Sequence, residues 1–207
     1  MPQIPATREL ARSAIRAELA SVALQQFLGR GFERVTVSDL AAAAGVSRST
    51  FLRYFDTKEE AVLGALDPKG ELIACALRDR PGSEPIWAAL RRSLDPLIDE
   101  YRLDPAGSLN LARLIGQSTA LRSGHLDKQR RWRGLLAAAI AERLGVDEAA
   151  DERADLRPAV YAAATLEALQ IATDRWVASD GQLDLIALVD QATGLLEPAG
   201  DSTASGI

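Results

Sequence analysis

Residues 36–58, TVSDLAAAAGVSRSTFLRYFDTK, read as two short helices joined by a tight turn. Thr36 is placed to cap the first helix, with Asp39 three residues on in the capping-box position, and Val37, Leu40 and Ala41 supply one apolar face. Gly45 stands where a left-handed residue reverses the chain, Val46 packs back, and Ser47 caps a second helix over 48–54. This is the layout of a helix-turn-helix, whose second helix enters the major groove of DNA and so exposes short, polar or cationic side chains. Ser47, Arg48, Ser49, Thr50 and Arg53 meet that requirement; an apolar surface over 47–53 would have indicated a protein contact instead.

Upstream, a helical pattern begins at Thr7 after six residues expected to be disordered. Leu10, Ala14, Leu19, Val22, Ala23 and Phe27 recur at the spacing of one buried face until Gly29 and Gly31 end it, and this helix is expected to pack across the other two. Arg8 and Arg12 on its early turns read as solvated surface, whereas Arg16 is divided between surface and DNA contact. Downstream, Asp56-Thr57-Lys58-Glu59-Glu60 opens a further helix with Thr57 and Glu60 as a second capping box. Asp67-Pro68 interrupts its pattern, which makes that dipeptide a boundary or a hinge.

Several of these residues, in fixed order, resemble a known family. Gly31-Phe32, Thr36-Val37, Ala44-Gly45-Val46-Ser47, Thr50, Tyr54-Phe55 and Lys58-Glu59 are similar to the amino-terminal domain of tetracycline-repressor-type (TetR) transcriptional regulators over residues 16–62. The family usually has an aromatic residue where this chain has Leu52, and often a His where it has Arg53. A phosphate contact from the aromatic hydroxyl is then missing, and Arg53 can replace it as a point of charge. The resemblance implies a DNA-binding set of Thr36, Ser47, Arg48, Ser49, Thr50, Arg53, Tyr54 and Lys58, with Arg48 reading a base edge or the backbone and Tyr54 and Lys58 on phosphates.

The whole chain of 207 residues carries a formal charge of −5, which is unexpected for a DNA-binding protein until it is divided. Residues 1–60 hold eight Arg or Lys against seven Asp or Glu, a charge of +1, and the rest hold sixteen against twenty-two, a charge of −6. A field of +1 is weak, so affinity must come from individually placed cations and two-fold avidity. No run of eighteen apolar residues and no signal-peptide core occurs, which points to a cytoplasmic protein with no membrane partner, and a single cysteine agrees with a reducing compartment.

From residue 81 on, every segment reads helical, so the fold class is all-α: a three-helix domain over 7–66, a larger helical domain over 67–197 and a disordered tail over 198–207. Pro96 is expected to bend a helix that starts at Ile86, Asp104-Pro105 to form a loop, 116–124 to be irregular, and 126–144 to be a helix stopped by Gly145. The last two helices are expected near 158–178 and 183–196. In the family these pair with their copies, so the resemblance implies a homodimer built on Ala164, Ala168, Leu185, Leu188, Val189 and Ala192. It also implies a ligand pocket among the middle helices, for which Trp87, Tyr101, Ile115, Trp132, Leu136, Tyr161, Thr165 and Gln170 are the candidates. With no cluster of charges among them, the expected effector is lipophilic.

Enzymatic readings lack their groups. His125, the only histidine, is expected in a loop without metal-ligand companions; Cys75, in the apolar run IACAL, is expected to be a buried structural thiol. Gly29-Arg30-Gly31 lacks the third glycine and preceding strand of a dinucleotide fingerprint. No catalytic residue, metal or cofactor is expected. The reading is a ligand-responsive repressor that binds a palindromic operator as a homodimer; the alternative is a helical small-molecule-binding protein or enzyme without specific DNA binding.

Overall fold

The structure, a computed structural model, describes residues 4–146 and 155–197, with backbone alone at 4–7 and 9; these residues form helices and no strand. The chain groups into two compact units. The described residues up to Lys69, together with Ala106–Arg130, make the first; Gly70–Pro105 and the described residues from Arg131 onward make the second.

In the first unit, α1 (Ile4–Arg30) packs on α2 (Val37–Ala43) and on α4 (Lys58–Gly64), and α2 packs on α3 (Arg48–Leu52). A short 3-10 turn, Phe32–Arg34, links α1 to α2. The helix begins three residues before the expected Thr7, so residues 4–6 are helical, while 1–3 lie outside the described residues. Its expected buried face is wrong at the amino-terminal end: Leu10 is 73% exposed and Ala14 is exposed. No described residue of this unit covers those turns, and the core begins with Leu19, Ala20, Ala23 and Phe27. Leu40, Phe51, Phe55, Ala61 and Val62 complete it, each large apolar side chain contributing ~1.5–3 kcal/mol on burial.

Close packing around α4 depends on small residues. A Cβ on Gly64 would lie 2.6 Å from Phe55 Cε1 and 3.2 Å from Ala20 Cβ. The helix α4 ends at Gly64, and α5 (Lys69–Arg78) starts just beyond Asp67-Pro68, where the sequence places the break. The rest of the unit comes from α8 (Pro105–Gln117) and the first turns of α9 (Thr119–Leu144). Gly124 of α9 approaches Leu63 so closely that a Cβ there would sit 2.3 Å from its Cδ1. The expected irregular stretch over 116–124 is therefore a correction: only Ser118 separates two helices, and its hydroxyl accepts from the Leu121 amide at 3.3 Å. The two glycines serve helix packing and an open helix face, not chain reversal, and His125 lies within α9 instead of a loop.

In the second unit, α6 (Ile86–Ser93) and α7 (Asp95–Leu103) are separate helices, since Leu94 ends one and Pro96 sits in the first turn of the next, a position proline tolerates better than a helix interior. Asp104 alone separates α7 from α8, which Pro105 opens, so the expected loop there is one residue. The strongest packing is between α10 (Arg157–Ala178) and α11 (Leu185–Gly194), with α6 against α11 and α7. Gly145 ends α9 at φ +64°, and the α11 start is set by Asp184, whose carboxylate accepts from the amides of Ile186 and Ala187. The turn before α6 is held by α9: Arg143 donates to the carbonyls of Arg80, Pro81 and Glu84 at 3.1, 2.6 and 2.8 Å. The expected tail over 198–207 lies outside the described residues.

Candidate functional site

The recognition element is built by local chemistry. Thr36 and Asp39 form the complete capping box, with the Asp39 amide donating to the Thr36 hydroxyl at 3.2 Å and Asp39 accepting from the Thr36 amide at 2.9 Å. Those bonds hold the Asp39 carboxyl below its ordinary range, with Arg30 helping from 3.6 Å. Gly45 takes φ +67°, and Ser47 caps α3 through the Thr50 amide at 3.1 Å. The Ser47 hydroxyl also lies 2.9 Å from those of Ser49 and Thr50, so the three form one local cluster. Phe51 and Phe55, their rings 5.5 Å apart, seat the helix in the core. The outward set is then Ser47, Arg48, Ser49 and Arg53, all exposed, with Thr50 half-buried. The helix ends at Leu52 and Arg53 is its cap, so Tyr54, expected inside it, lies past its end and is half-buried.

Lys58 and Arg16 are, like Arg30, engaged by the protein itself. Lys58 donates to the Phe32 carbonyl at 3.0 Å, stands 4.2 Å over the Phe32 ring and faces exposed Glu33 at 3.9 Å. Arg16 donates to the Tyr54 carbonyl just beyond α3, pairs with Glu60 at 2.8 Å and Asp67 at 3.2 Å, and stacks 4.2 Å over Phe55. Asp67 also pairs with Lys128 of α9, a lysine whose side chain is only 8% exposed. Burial pushes the Glu60 carboxyl upward, but Arg16, the Asp56 amide and Lys128 together hold it below its usual range. Arg16 is therefore a structural clamp. Its spacing of four from Arg12 disclosed nothing of this, because its partners lie 44 and 51 residues away in sequence.

Of the eight ligand-site candidates, Ile115 belongs to the first unit and the other seven to the second. Trp87 and Tyr161 stack at 4.6 Å, and Tyr101 meets Trp176 edge-on at 5.8 Å. Burial raises the Tyr101 phenol above its ordinary value, opposed by the Thr173 hydroxyl. Trp132 is buried against Gly70, where an added Cβ would lie 2.4 Å from its Cδ1, and Leu136 is fully buried. Gln170 directs its amide to Asp174 at 2.8 Å. Thr165 is 1% exposed, and its hydroxyl has no hydrogen-bond partner among the described residues. Among the dimer candidates, Ala168, Leu185 and Val189 are buried within the protomer, while Ala164, Leu188 and Ala192 remain partly accessible. Cys75, expected to be buried, is exposed on α5 because the helix turns its Ile73, Ala74 and Leu77 inward instead. The described residues hold no group of His, Cys, Asp or Glu suited to a metal, and no helix among them is long and apolar enough to cross a membrane.

Residues 19–64 match the family profile described as bacterial regulatory proteins of the tetR family, and residues 84–200 match that of the MftR C-terminal domain. The chain is 34% identical over 168 residues to the HTH-type transcriptional regulator TcmR of Streptomyces glaucescens, covering 78% of this chain and 74% of TcmR. This protein belongs to the TetR family of transcriptional regulators. It is also 30% identical over 166 residues to the regulator EthR of Mycolicibacterium smegmatis, covering 79% of this chain and 70% of EthR. In fold it is similar to the TetR-family repressor FadR of Thermus thermophilus, solved in complex with lauroyl-CoA, at TM-score 0.56 and 22% identity over 92% of this chain and 99% of that one. The helix-turn-helix of this TetR protein has Leu52, half-buried, where the family usually has an aromatic. The Arg16 clamp and the buried Lys128 are what sequence reading missed; it named Thr165, but not the burial that leaves its hydroxyl without a partner among the described residues.

Proposed function

We propose that this regulator is a ligand-responsive repressor that binds a near-palindromic operator as a homodimer and leaves it when a small lipophilic effector is bound. The observation that carries the reading is α3 itself: a helix capped by Ser47 and seated by two phenylalanines, presenting Arg48, Ser49 and Arg53 to solvent. Arg48 reads a base edge or the backbone, Ser47, Ser49 and Thr50 make short contacts, and Thr36, Arg53, Tyr54 and Lys58 fix register against phosphates. Two such helices, one from each subunit, would enter successive major grooves separated by roughly 34–36 Å. The partly accessible stripe of Ala164, Leu188 and Ala192 is the surface offered to the second subunit. Functionally, residues 7–66 are the reading head and 67–197 the effector and dimerisation part, acting in the cytoplasm.

A lipophilic effector is supported by the stacked aromatic pairs of the second unit and by the lauroyl-CoA bound to the similarly folded FadR. Thr165 supplies the polar contact, since its buried hydroxyl has a hydrogen bond still to make. Coupling between effector and DNA in such proteins is typically about 1–3 kcal/mol. The test is binding to DNA fragments that flank the protein's own coding region, at several salt concentrations and against scrambled duplex. Nanomolar specific binding with a two-fold footprint is expected, and release on titrating lauroyl-CoA would place the effector among acyl chains. Equal, weak and fully salt-sensitive binding to every fragment would refute the regulator reading.

A further inference from the structure

The amino-terminal turns of α1 contribute no buried side chain that is described before Leu19, although the helix is formed from Ile4. Apart from Arg16, the described side chains of these turns are exposed, so packing does not account for their sequence, because surface helices are held mainly by an apolar face against a core. Its polar pattern is specific: Arg8, Arg12 and Arg16 follow one another at four-residue spacing, so they share one face and rise by about 6 Å per step. The register of that face against the recognition helix is fixed at two points. Arg16 is clamped to the Tyr54 carbonyl, Glu60 and Asp67. One turn nearer the amino terminus, the Arg12 guanidinium lies 3.5 Å from the carbonyl of Arg53, the capping residue of α3. The stripe thus runs from the α4–α5 break, where Arg16 meets Asp67, to the exposed end of the recognition helix, and Arg8 continues it by one more turn.

The three arginines differ in what they meet. Arg16 faces two carboxylates, whereas neither Arg8 nor Arg12 takes part in an ion pair among the described residues, and both are exposed. Two uncompensated guanidiniums, held about 6 Å apart on a rigid rod beside the recognition helix, match a polyanion that carries one phosphate per ~3.4 Å of axis on each strand. Guanidinium is also the cation that grips phosphate with a fork of donors. We propose that Arg8 and Arg12 form a second DNA contact, on the phosphate backbone flanking the half-site read by α3, and that this contact adds affinity without sequence preference. The proposal rests on the regulator reading above and extends it to a part of the chain outside the matched residues 19–64.

The test compares wild type, Arg8→Ala and the double variant Arg8→Ala/Arg12→Ala on two duplexes of equal length, one flanking the protein's coding region and one scrambled. Each lost phosphate contact lowers the slope of log K against log salt by about 0.9, so the double variant should lose about 1.8 per bound protomer on both duplexes. Between 50 and 200 mM salt, the wild type should then lose about 12-fold more affinity per bound protomer than the variant does. The preference for one duplex over the other should be unchanged. Arg8 is exposed and forms no hydrogen bond or ion pair among the described residues, so Arg8→Ala should melt with the wild type and still lose half of the effect. Unchanged slopes in both variants, with specific wild-type binding intact, would overturn the contact and leave the regulator reading standing; a wild type without specific binding would overturn both. A slope change confined to the flanking duplex would overturn the claim that the contact ignores sequence.

Discussion

Replacing Arg16 by methionine tests whether the reading head is organised by a buried clamp or by its small apolar core alone. Methionine keeps much of the stem, which matters because the arginine side chain is 26% exposed and packs on Phe55. The substitution removes a charge-assisted bond to the Tyr54 carbonyl, two ion pairs and a cation–π contact. The first is worth about 1.5–3 kcal/mol. The ion pairs reach carboxylates more than a third exposed, so they are discounted to about 0.5 kcal/mol each, and the ring contact adds about 0.5–1 kcal/mol. Allowing for non-additivity, the expected loss is about 2–4 kcal/mol, or ~4–16 °C in Tm for a chain of this size.

A pH series makes the assignment specific. Glu60 has a folded pKa below its unfolded value, so its contribution is present above the ordinary carboxylate range and is lost as pH falls through the lower folded pKa. The gap between wild type and Arg16→Met in denaturant unfolding should therefore be widest near neutrality and shrink by the ion-pair share, about 1 kcal/mol, as pH falls through the carboxylate range, while the Tyr54 carbonyl and Phe55 ring contributions persist. Arg16→Lys, which keeps one charge but lacks the fork to reach Tyr54, Glu60 and Asp67 together, should fall between them. A loss below about 0.5 kcal/mol in Arg16→Met, or a gap constant from pH 7 to 3, would refute the clamp.

Gly64→Ala and Gly116→Ala should have opposite signs in denaturant unfolding. The first drives a Cβ to 2.6 Å from the buried Phe55 ring and should cost ~1–3 kcal/mol, whereas the second meets nothing within 4 Å and should gain up to about 1 kcal/mol of helix propensity. Thr36→Ala removes the hydroxyl that accepts from the Asp39 amide, one half of the capping box, and should cost about 0.5–2 kcal/mol, with loss of specific DNA binding from a loosened α2–α3 turn. Thr165→Val removes a buried hydroxyl without a partner and keeps its shape, so the ligand-free protein should gain about 1 kcal/mol while the complex with a polar-headed effector weakens. A destabilised ligand-free Thr165→Val would show that the hydroxyl is bonded within the fold.

What could be read from the sequence was what is local. Caps at Thr36, Ser47 and Thr57, the left-handed Gly45 and the break at Asp67-Pro68 each depend on neighbours within four residues, and each stands where the pattern places it. Where neighbours decide, the reading failed. Leu10 and Ala14 have the right spacing for a buried face, but nothing is there to bury them. Gly116 and Gly124 resembled breakers because periodicity cannot reveal that Leu63 requires a residue without a side chain at 124. Thr57 caps α4, but its expected box partner Glu60 bonds the Asp56 amide and Arg16 instead. Helices α10 and α11 are apolar on so many faces that sequence could not divide them between the protomer's core and a partner, and Val189, at 0% exposure, belongs to the core.

The formal charge of the reading head understates its electrostatic capacity, because the charges are distributed by function. Among the eight cations of residues 1–60, Arg16 is held by Glu60 and Asp67, Arg30 faces Asp39, and Lys58 is engaged by the Phe32 carbonyl and Glu33. Arg8, Arg12, Arg34, Arg48 and Arg53 are exposed and form no ion pair among the described residues. Two of the seven acids that balance the count to +1, Asp39 and Glu60, are tied into a cap and a clamp. Of the acids beyond residue 60, Asp67 is itself tied to Arg16 and Lys128. A protein of net charge −5 can therefore offer DNA five unpaired guanidiniums per protomer, enough for a salt slope near 4.5 each. A slope above that value would mean that Lys58 exchanges the Phe32 carbonyl and Glu33 for phosphate or that cations outside residues 1–60 take part, and one near zero would mean that the exposed arginines face away from the groove.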